Sequence, residues 1–322
     1  MARLLRFGFQ IPSFTTPGGP STIFETVATA ARTAEESGFD AVFVMDHFYQ
    51  IGFVGQSGEP MLEAYTLLGA LAACTTSVRL GTLVTGVTYR NPAMLAKMVT
   101  TLDVISGGRA LLGIGAAWND EEHAGYGFDF PPVAERMDRL EEALEICRAM
   151  FAGGRPSFAG RHYRIADAYN EPPPLSSPLP ILVGGGGERR TLRLAARYAD
   201  ITNFFGDPAT VRAKLGILRA HCEREGRDPA ELTNTTLLTV VIGATGADAE
   251  RKGAEIRARR GLDEATFHAT HIAGDPGQVG DQLAAYFDAG LDGVIVNVPD
   301  AHDPEAVALV GRTLTERFGP GD

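Results

Sequence analysis

Glu36-Ser37-Gly38-Phe39-Asp40-Ala41-Val42-Phe43-Val44-Met45-Asp46 is the stretch on which the fold turns. Its phrasing returns near the other end of the chain as Asp288-Ala289-Gly290-Leu291-Asp292-Gly293-Val294-Ile295-Val296-Asn297. Each copy passes from a helix tail to a glycine, an apolar residue, an aspartate and then an apolar run. The glycine suits the left-handed position just past a helix C-terminus. The run lacks polar alternation, which is how a strand buried on both faces reads. Both copies therefore predict a helix feeding a parallel strand.

Working outward, the same pattern gives eight candidate strands, beginning near Arg6, Asp40, Arg79, Arg109, Pro180, Asp200, Thr236 and Asp292. Amphipathic helices fall between them. Met137, Leu140, Leu144, Cys147 and Phe151 recur at helical spacing within 133–151, and Leu95, Met98, Leu102 and Ile105 do so after an Asn91-Pro92 start signal. Alternating β and α units specify an α/β protein with a parallel sheet. The count of eight favours a closed (β/α)8 TIM barrel over the alternative, an open doubly wound sheet. Residues 1–322 read as one domain with insertions at about 153–178, after strand four, and about 245–275, after strand seven. The first holds a small hairpin near Phe158–Arg164 and a proline-rich stretch; the second reads as a helical excursion.

The net charge, 29 − 40 = −11, argues against nucleic-acid or anionic-membrane surfaces as partners, since both need basic patches. No apolar run approaches the roughly 18 residues of a membrane span. The stretch before Pro12 has no sustained apolar run, so no signal peptide is expected. Cys74, Cys147 and Cys222 are odd in number and form no CxxC pattern, which excludes a disulfide framework and fits a cytoplasmic location.

In such a barrel the chemistry sits at the C-terminal ends of the strands. Asp46-His47-Phe48 ends strand two, and His47 is the best candidate for proton transfer because its ordinary pKa lies near neutrality. Asp46 is a candidate to orient it, although adjacent residues of a strand face opposite ways. Gly184-Gly185-Gly186-Gly187 follows strand five and runs into a helix expected at 189–197, a setting for phosphate binding. Asn203 and Asn297 end strands six and eight. Glu121-Glu122-His123 and His268/His271 lack metal-ligand spacing, so no metal is expected, and Glu121 and Glu122 read as solvated helix-start carboxylates.

Together these stretches resemble the luciferase-like monooxygenase superfamily, and within it the branch that uses the deazaflavin coenzyme F420. The similarity is carried by Phe7–Pro12, Gly38–Phe48, Arg79–Pro92, Ser106–Gly127, Leu179–Asn203 and Gly290–Asn297. It implies a (β/α)8 barrel with the cofactor in its mouth. The phosphate would lie on Gly184, Gly185, Gly186 and Gly187 near Thr191. The ring would lie against a non-prolyl cis bond between Leu83 and Val84, with Thr85, Gly115 and Asn203 adjoining. His47 would be the catalytic histidine, with Trp118 and Asn119 beside the ring or the substrate. The implied reaction is hydride transfer between F420 and a small organic substrate: an alcohol or carbonyl, an activated alkene or an imine. The alternative is an FMN-dependent monooxygenase using oxygen. Either reading implies a separate flavin or F420 reductase and a homodimer through the helix at 62–73. Phe48, Ile51 and Phe53 would line the substrate pocket. Arg90, Arg189 and Arg190 are candidates for the anionic F420 tail. The sugar-phosphate dehydrogenases of this branch carry a tryptophan where this chain has Ile51 and a glutamate where it has Trp118, so that activity does not carry over.

Overall fold

The computed structural model describes residues 4–319. Eight parallel strands alternate with helices: β1 (Phe7–Ile11), β2 (Ala41–Val44), β3 (Arg79–Thr82), β4 (Leu112–Gly115), β5 (Ile181–Gly184), β6 (Ile201–Asn203), β7 (Thr233–Ile242) and β8 (Gly293–Asn297). Apart from β3 and β4, each pairs with its sequence neighbour, and β8 pairs with β1. The seam between β3 and β4 closes through Leu80 N donating to Arg109 O at 2.9 Å and through the pairing of Thr85–Gly86 with Ile114–Gly115. The sheet is thus a closed barrel.

The repeated phrase has a structural reason. Gly38 and Gly290 take φ of 90° and 105°, which a side chain resists, and this lets each helix turn directly into its strand. The aspartate that follows caps the next strand over. Asp40 Oδ2 accepts from Arg6 N and Phe7 N, both at 2.7 Å, and Asp292 Oδ2 accepts from Asn234 N at 2.9 Å. Asp200 repeats the device on Ile181 N at 2.8 Å. Strand-start N–H groups at the barrel floor would otherwise lack partners.

Alternate residues of each strand face inward and outward. Leu5, Phe43, Leu111, Leu182, Ile201 and Ile295 form one buried cluster. Phe9, Val42, Leu80, Leu112, Val183 and Val296 join the larger cluster that includes the helices, such as Leu140 and Leu144 of helix Val133–Phe151. Asn91 caps helix Pro92–Ser106 by accepting from Ala93 N at 2.9 Å. Among the described residues no helix is long and apolar enough to cross a membrane.

Two expectations change. The helix after the glycines runs Thr191–Tyr198 and not 189–197. The segment after β7 is not purely helical. Helices Gly246–Arg260 and Glu264–Thr270 lead into a short strand, His271–Gly274, paired in parallel with Thr239–Ile242. The strand is only four residues long and is framed by helix signals, so periodicity could not separate it. Before β5, Phe158–Ala159 and Arg164–Ile165 pair as an antiparallel hairpin, as the sequence suggests.

Candidate active site

His47 follows β2 at the barrel mouth. Its Nδ1 lies 2.6 Å from Glu122 Oε1, and its side chain is mostly covered. Glu122 has no exposed surface. The same carboxylate accepts from the Tyr89 hydroxyl, from Phe48 N at 2.8 Å and from Tyr49 N at 3.3 Å. Burial pushes the Glu122 carboxyl up, but the His47 ring, the Tyr89 hydroxyl and the Phe48 amide outweigh it and hold it below the usual carboxylate range. Burial and Glu122 together push the Tyr89 hydroxyl up, so it remains a donor. A carboxylate can only accept, so the His47 proton sits on Nδ1. Nε2 has no hydrogen-bond partner among the described residues.

This corrects two expectations. Glu122 is not a solvated helix-start residue: the N-cap at Asn119 turns helix Asp120–Tyr126 so that Glu122 and His123 face inward while Asp120 and Glu121 stay exposed. Asp46 does not orient His47. Its side chain leaves the other face of the chain and takes a two-pronged pair with Arg90, at 2.5 and 3.1 Å, while Arg90 also reaches Glu63 at 2.6 Å. Complete burial pushes the Asp46 carboxyl up, and Arg90 pulls against it. Arg90 is therefore committed inside the site and is no free contact for an anionic tail.

Asn119 spends its Oδ1 on Glu121 N at 3.2 Å, a capping bond. Trp118, 54% exposed, packs its ring edge-on to His47 with centroids 5.4 Å apart. Phe53 lies beyond it at 6.4 Å, whereas Phe48 turns away to stack on Tyr126 and meet Tyr89.

The floor of the mouth is polar and ordered. Thr82 Oγ1 donates to Gly113 O at 2.9 Å, so Thr85 donates to Thr82 at 3.0 Å and the Tyr65 hydroxyl to Thr85 at 2.8 Å. Gln10 Nε2 donates to Leu83 O at 3.2 Å, and Asn297 Nδ2 to Gln10 Oε1 at 3.4 Å. Asn203 Nδ2 donates to Thr235 Oγ1 at 3.1 Å.

The opposite side of the mouth is built from missing side chains. The Leu83–Val84 peptide is cis, as the resemblance implies. Val84, half-buried, lies between the ends of β4 and β5. A Cβ on Gly115 would come within 3.0 Å of its Cγ2, and one on Gly184 within 2.8 Å of its Cγ1. Gly185 takes φ of 119° and is exposed with Gly187. Its N–H donates to Asn203 O at 2.9 Å. Lys214 Nζ donates to Gly186 O at 2.7 Å, which brings a cation to this turn that the sequence pattern did not flag. Thr191 opens the helix beyond and is mostly buried. Arg190 pairs with Asp138 at 2.5 Å, while Arg189 is exposed. An open glycine turn with a lysine beside a half-buried valine and a polar floor fits a phosphate-bearing cofactor with a flat ring.

The family model for luciferase-like monooxygenases matches residues 5–293. The chain belongs to the luciferase-like monooxygenase family. Among its relatives is the F420-dependent glucose-6-phosphate dehydrogenase of Kineococcus radiotolerans, 30% identical over 300 residues, covering 85% of this chain and 87% of the relative. Two solved structures share the barrel at 20% identity: the F420-dependent tetrahydromethanopterin reductase of Methanopyrus kandleri (TM-score 0.81, covering 98% of this chain and 99% of that one) and the EDTA monooxygenase of Chelativorans sp. BNC1 (TM-score 0.83, covering 98% and 94%). At that identity they speak for the fold of this luciferase-like chain and not for its substrate.

Proposed function

We propose that this chain is an F420-dependent oxidoreductase that moves a hydride between the deazaflavin and a small organic substrate, with His47 as the proton donor or acceptor. The observation that carries the reading is the His47–Glu122 pair, which leaves Nε2 as the working nitrogen. Neutral His47 offers a lone pair at Nε2 to take the proton of an alcohol. Protonated His47 gives that proton to a forming alkoxide, while Glu122 holds the ring by its other nitrogen. Tyr89 and the Phe48 and Tyr49 amides keep Glu122 fixed while the ring changes charge.

When bound, the deazaflavin supplies the carbon that gives or takes the hydride. Gly184, Gly185, Gly186, Gly187, Thr191 and Lys214 would hold its phosphate, and Leu83, Val84, Thr85, Gly115 and Asn203 would surround its ring. The 30% identical F420-dependent relative supports F420 over FMN. A separate F420 reductase would recycle the cofactor. Helix Ala64–Cys74 presents Thr66, Gly69, Ala70 and Ala73 outward, a small uncharged face on which we expect a homodimer. A monomer mass by light scattering would remove that part.

Titration of the apo-chain with oxidised F420 and, separately, with FMN tests the assignment. Tight F420 binding with weak FMN binding is expected; the reverse moves the reading to an FMN monooxygenase. His47→Ala is expected to keep F420 affinity and lose on the order of 10²-fold or more in kcat, with the acid–base limb of the pH profile gone. Full turnover with an unchanged pH profile would falsify the role of His47.

A further inference from the structure

We infer that Arg136 is a positioning residue for the proton transfer: from outside the site it holds the turn after β4 so that Trp118 and Glu122 both meet His47. The inference rests on the role of His47 proposed above and names the group that sets its surroundings.

The turn carries strain. Ala117 takes φ of 62° and is one of two residues other than glycine with positive φ among the described ones. A side chain resists that conformation, so the surroundings must hold it. Arg136, in the first turn of helix Val133–Phe151, does so. Its Nη1 donates to Ala116 O at 3.2 Å and to Ala117 O, and its Nε donates to Pro131 O at 3.0 Å. Among the described residues no carboxylate pairs with it. The guanidinium also lies 4.1 Å over the Phe130 ring. An arginine whose partners are three backbone carbonyls uses its planar fork to join two loops, the one after β4 and the one before helix Val133–Phe151.

Two contacts of His47 come from the segment that leaves this turn. Trp118 directly follows Ala117 and sets its ring edge-on to His47. It is half-exposed, so core packing does not place it and its backbone must. Asn119 comes next and caps helix Asp120–Tyr126, which carries Glu122 to His47 Nδ1. Arg136 reaches that helix by a second route. Phe130, under the guanidinium, packs on His123 with centroids 4.5 Å apart. His123 Nδ1 donates to Asn119 O, and the Thr88 hydroxyl donates to its Nε2 at 2.7 Å. One cation thus fixes the entry to the helix and backs its buried face. Without it the turn is free to relax out of the left-handed region, and Trp118 and Asn119 move together.

Trp118 is the only tryptophan in the sequence, and a protonated imidazole in contact with an indole quenches its emission. The emission of the full apo-chain against pH therefore reads the Trp118–His47 contact. The ring 15N shifts of His47 read its tautomer, and hence the Glu122 contact. His47→Gln assigns both signals and excludes Glu122, Tyr89 and His123 as their source. The wild-type chain is expected to show one emission step and the Nδ1–H tautomer. Arg136→Gln is expected to lose the step and to mix the two tautomers. Arg136→Lys keeps the charge but brings one nitrogen to three carbonyls, so it is expected to fold and still to lose most of the step. Should Arg136→Gln fail to fold, Arg136→Lys decides. A wild-type step and tautomer in the folded Arg136 variants would overturn the inference, as would an emission step that survives His47→Gln. F420 binding, followed by its absorbance in the same proteins, judges the hydride-transfer reading separately. If the wild-type chain fails to bind F420, that reading fails, while the emission and tautomer comparison still decides what Arg136 holds.

Discussion

The two sides of the barrel mouth are made by opposite means. At the end of β2, His47, Glu122, Tyr89 and two backbone amides form a closed set of bonds around one buried carboxylate. At the end of β5, Gly184–Gly187 present backbone with almost no side chains, and Lys214 is tied to that backbone by one bond. The first side fixes one ring in one orientation and one tautomer, as proton transfer demands. The second leaves space and N–H groups for a ligand that brings its own charge. Damage to the first should therefore spread into folding as well as turnover, while damage to the second should stay largely in cofactor affinity.

The largest expected effect is Glu122→Ala. It leaves the His47 Nδ1–H, the Tyr89 hydroxyl and the Phe48 and Tyr49 amides without their acceptor, and each buried donor so stranded costs about 1–3 kcal/mol. Thermal unfolding should show a large drop, and kcat should fall by about 100-fold or more. Glu122→Gln keeps the shape and should retain much of the stability while still losing turnover and shifting the pH profile. Wild-type stability in both variants would break the comparison. The ionised Glu122 also sets a sign. Its carboxyl is held below the usual range, so its contribution is full above the unfolded carboxylate pKa near 4.5 and is lost as pH falls below it.

Gly185→Ala comes next. A side chain at φ of 119° is strained by about 1–3 kcal/mol. Weaker F420 binding, by about tenfold, is the expected outcome, with the His47 pH profile unchanged. An altered pH profile would show that the two sides are coupled. Lys214→Gln should have a smaller effect: a loss of about threefold to fivefold in F420 affinity and a shallower dependence on salt, because a partly exposed charge is screened. Equal salt slopes in the two proteins would remove Lys214 from the phosphate site.

The smallest effect is expected far from the mouth. Glu35, despite partial burial that works upward, accepts from the amides of Thr76, Ser77 and Val78 at the start of β3, and these bring its pKa down to about 2. Glu35→Gln should lower Tm by a few degrees at pH 7 without touching turnover. The difference should shrink as pH falls from 4.5 toward 2, where the wild-type carboxylate is protonated. A difference that grows at low pH would reverse the sign and reject the assignment.

Much of this was legible beforehand because it is local. Gly38 and Gly290 mark helix-to-strand turns, Asn91-Pro92 starts a helix, and unbroken apolar runs give eight strands whose count implies closure. His47 stood out because an imidazole titrates near neutrality and sits at a strand end, and the glycine quartet because it joins a buried strand to a helix N-terminus. Glu122 did not. It is 75 residues from His47, and in sequence it shares a helix start with Asp120 and Glu121, which solvent takes. That this turn of the helix faces inward, with His123 buried beside Glu122, shows only in the structure.

The sequence by itself determined the repeating β–α units and the barrel they close into, and it singled out His47 as the candidate for proton transfer. Hydrophobic periodicity and chain turns depend on neighbours a few residues away, so they can be read along the chain. Only the tertiary structure decided the partners. It sent Asp46 to Arg90 and gave Glu122 to His47, set Trp118 against Phe53, and drew His271–Gly274 onto β7. Each of these depends on which segments barrel closure brings within hydrogen-bond or van der Waals distance, and no local pattern encodes that distance.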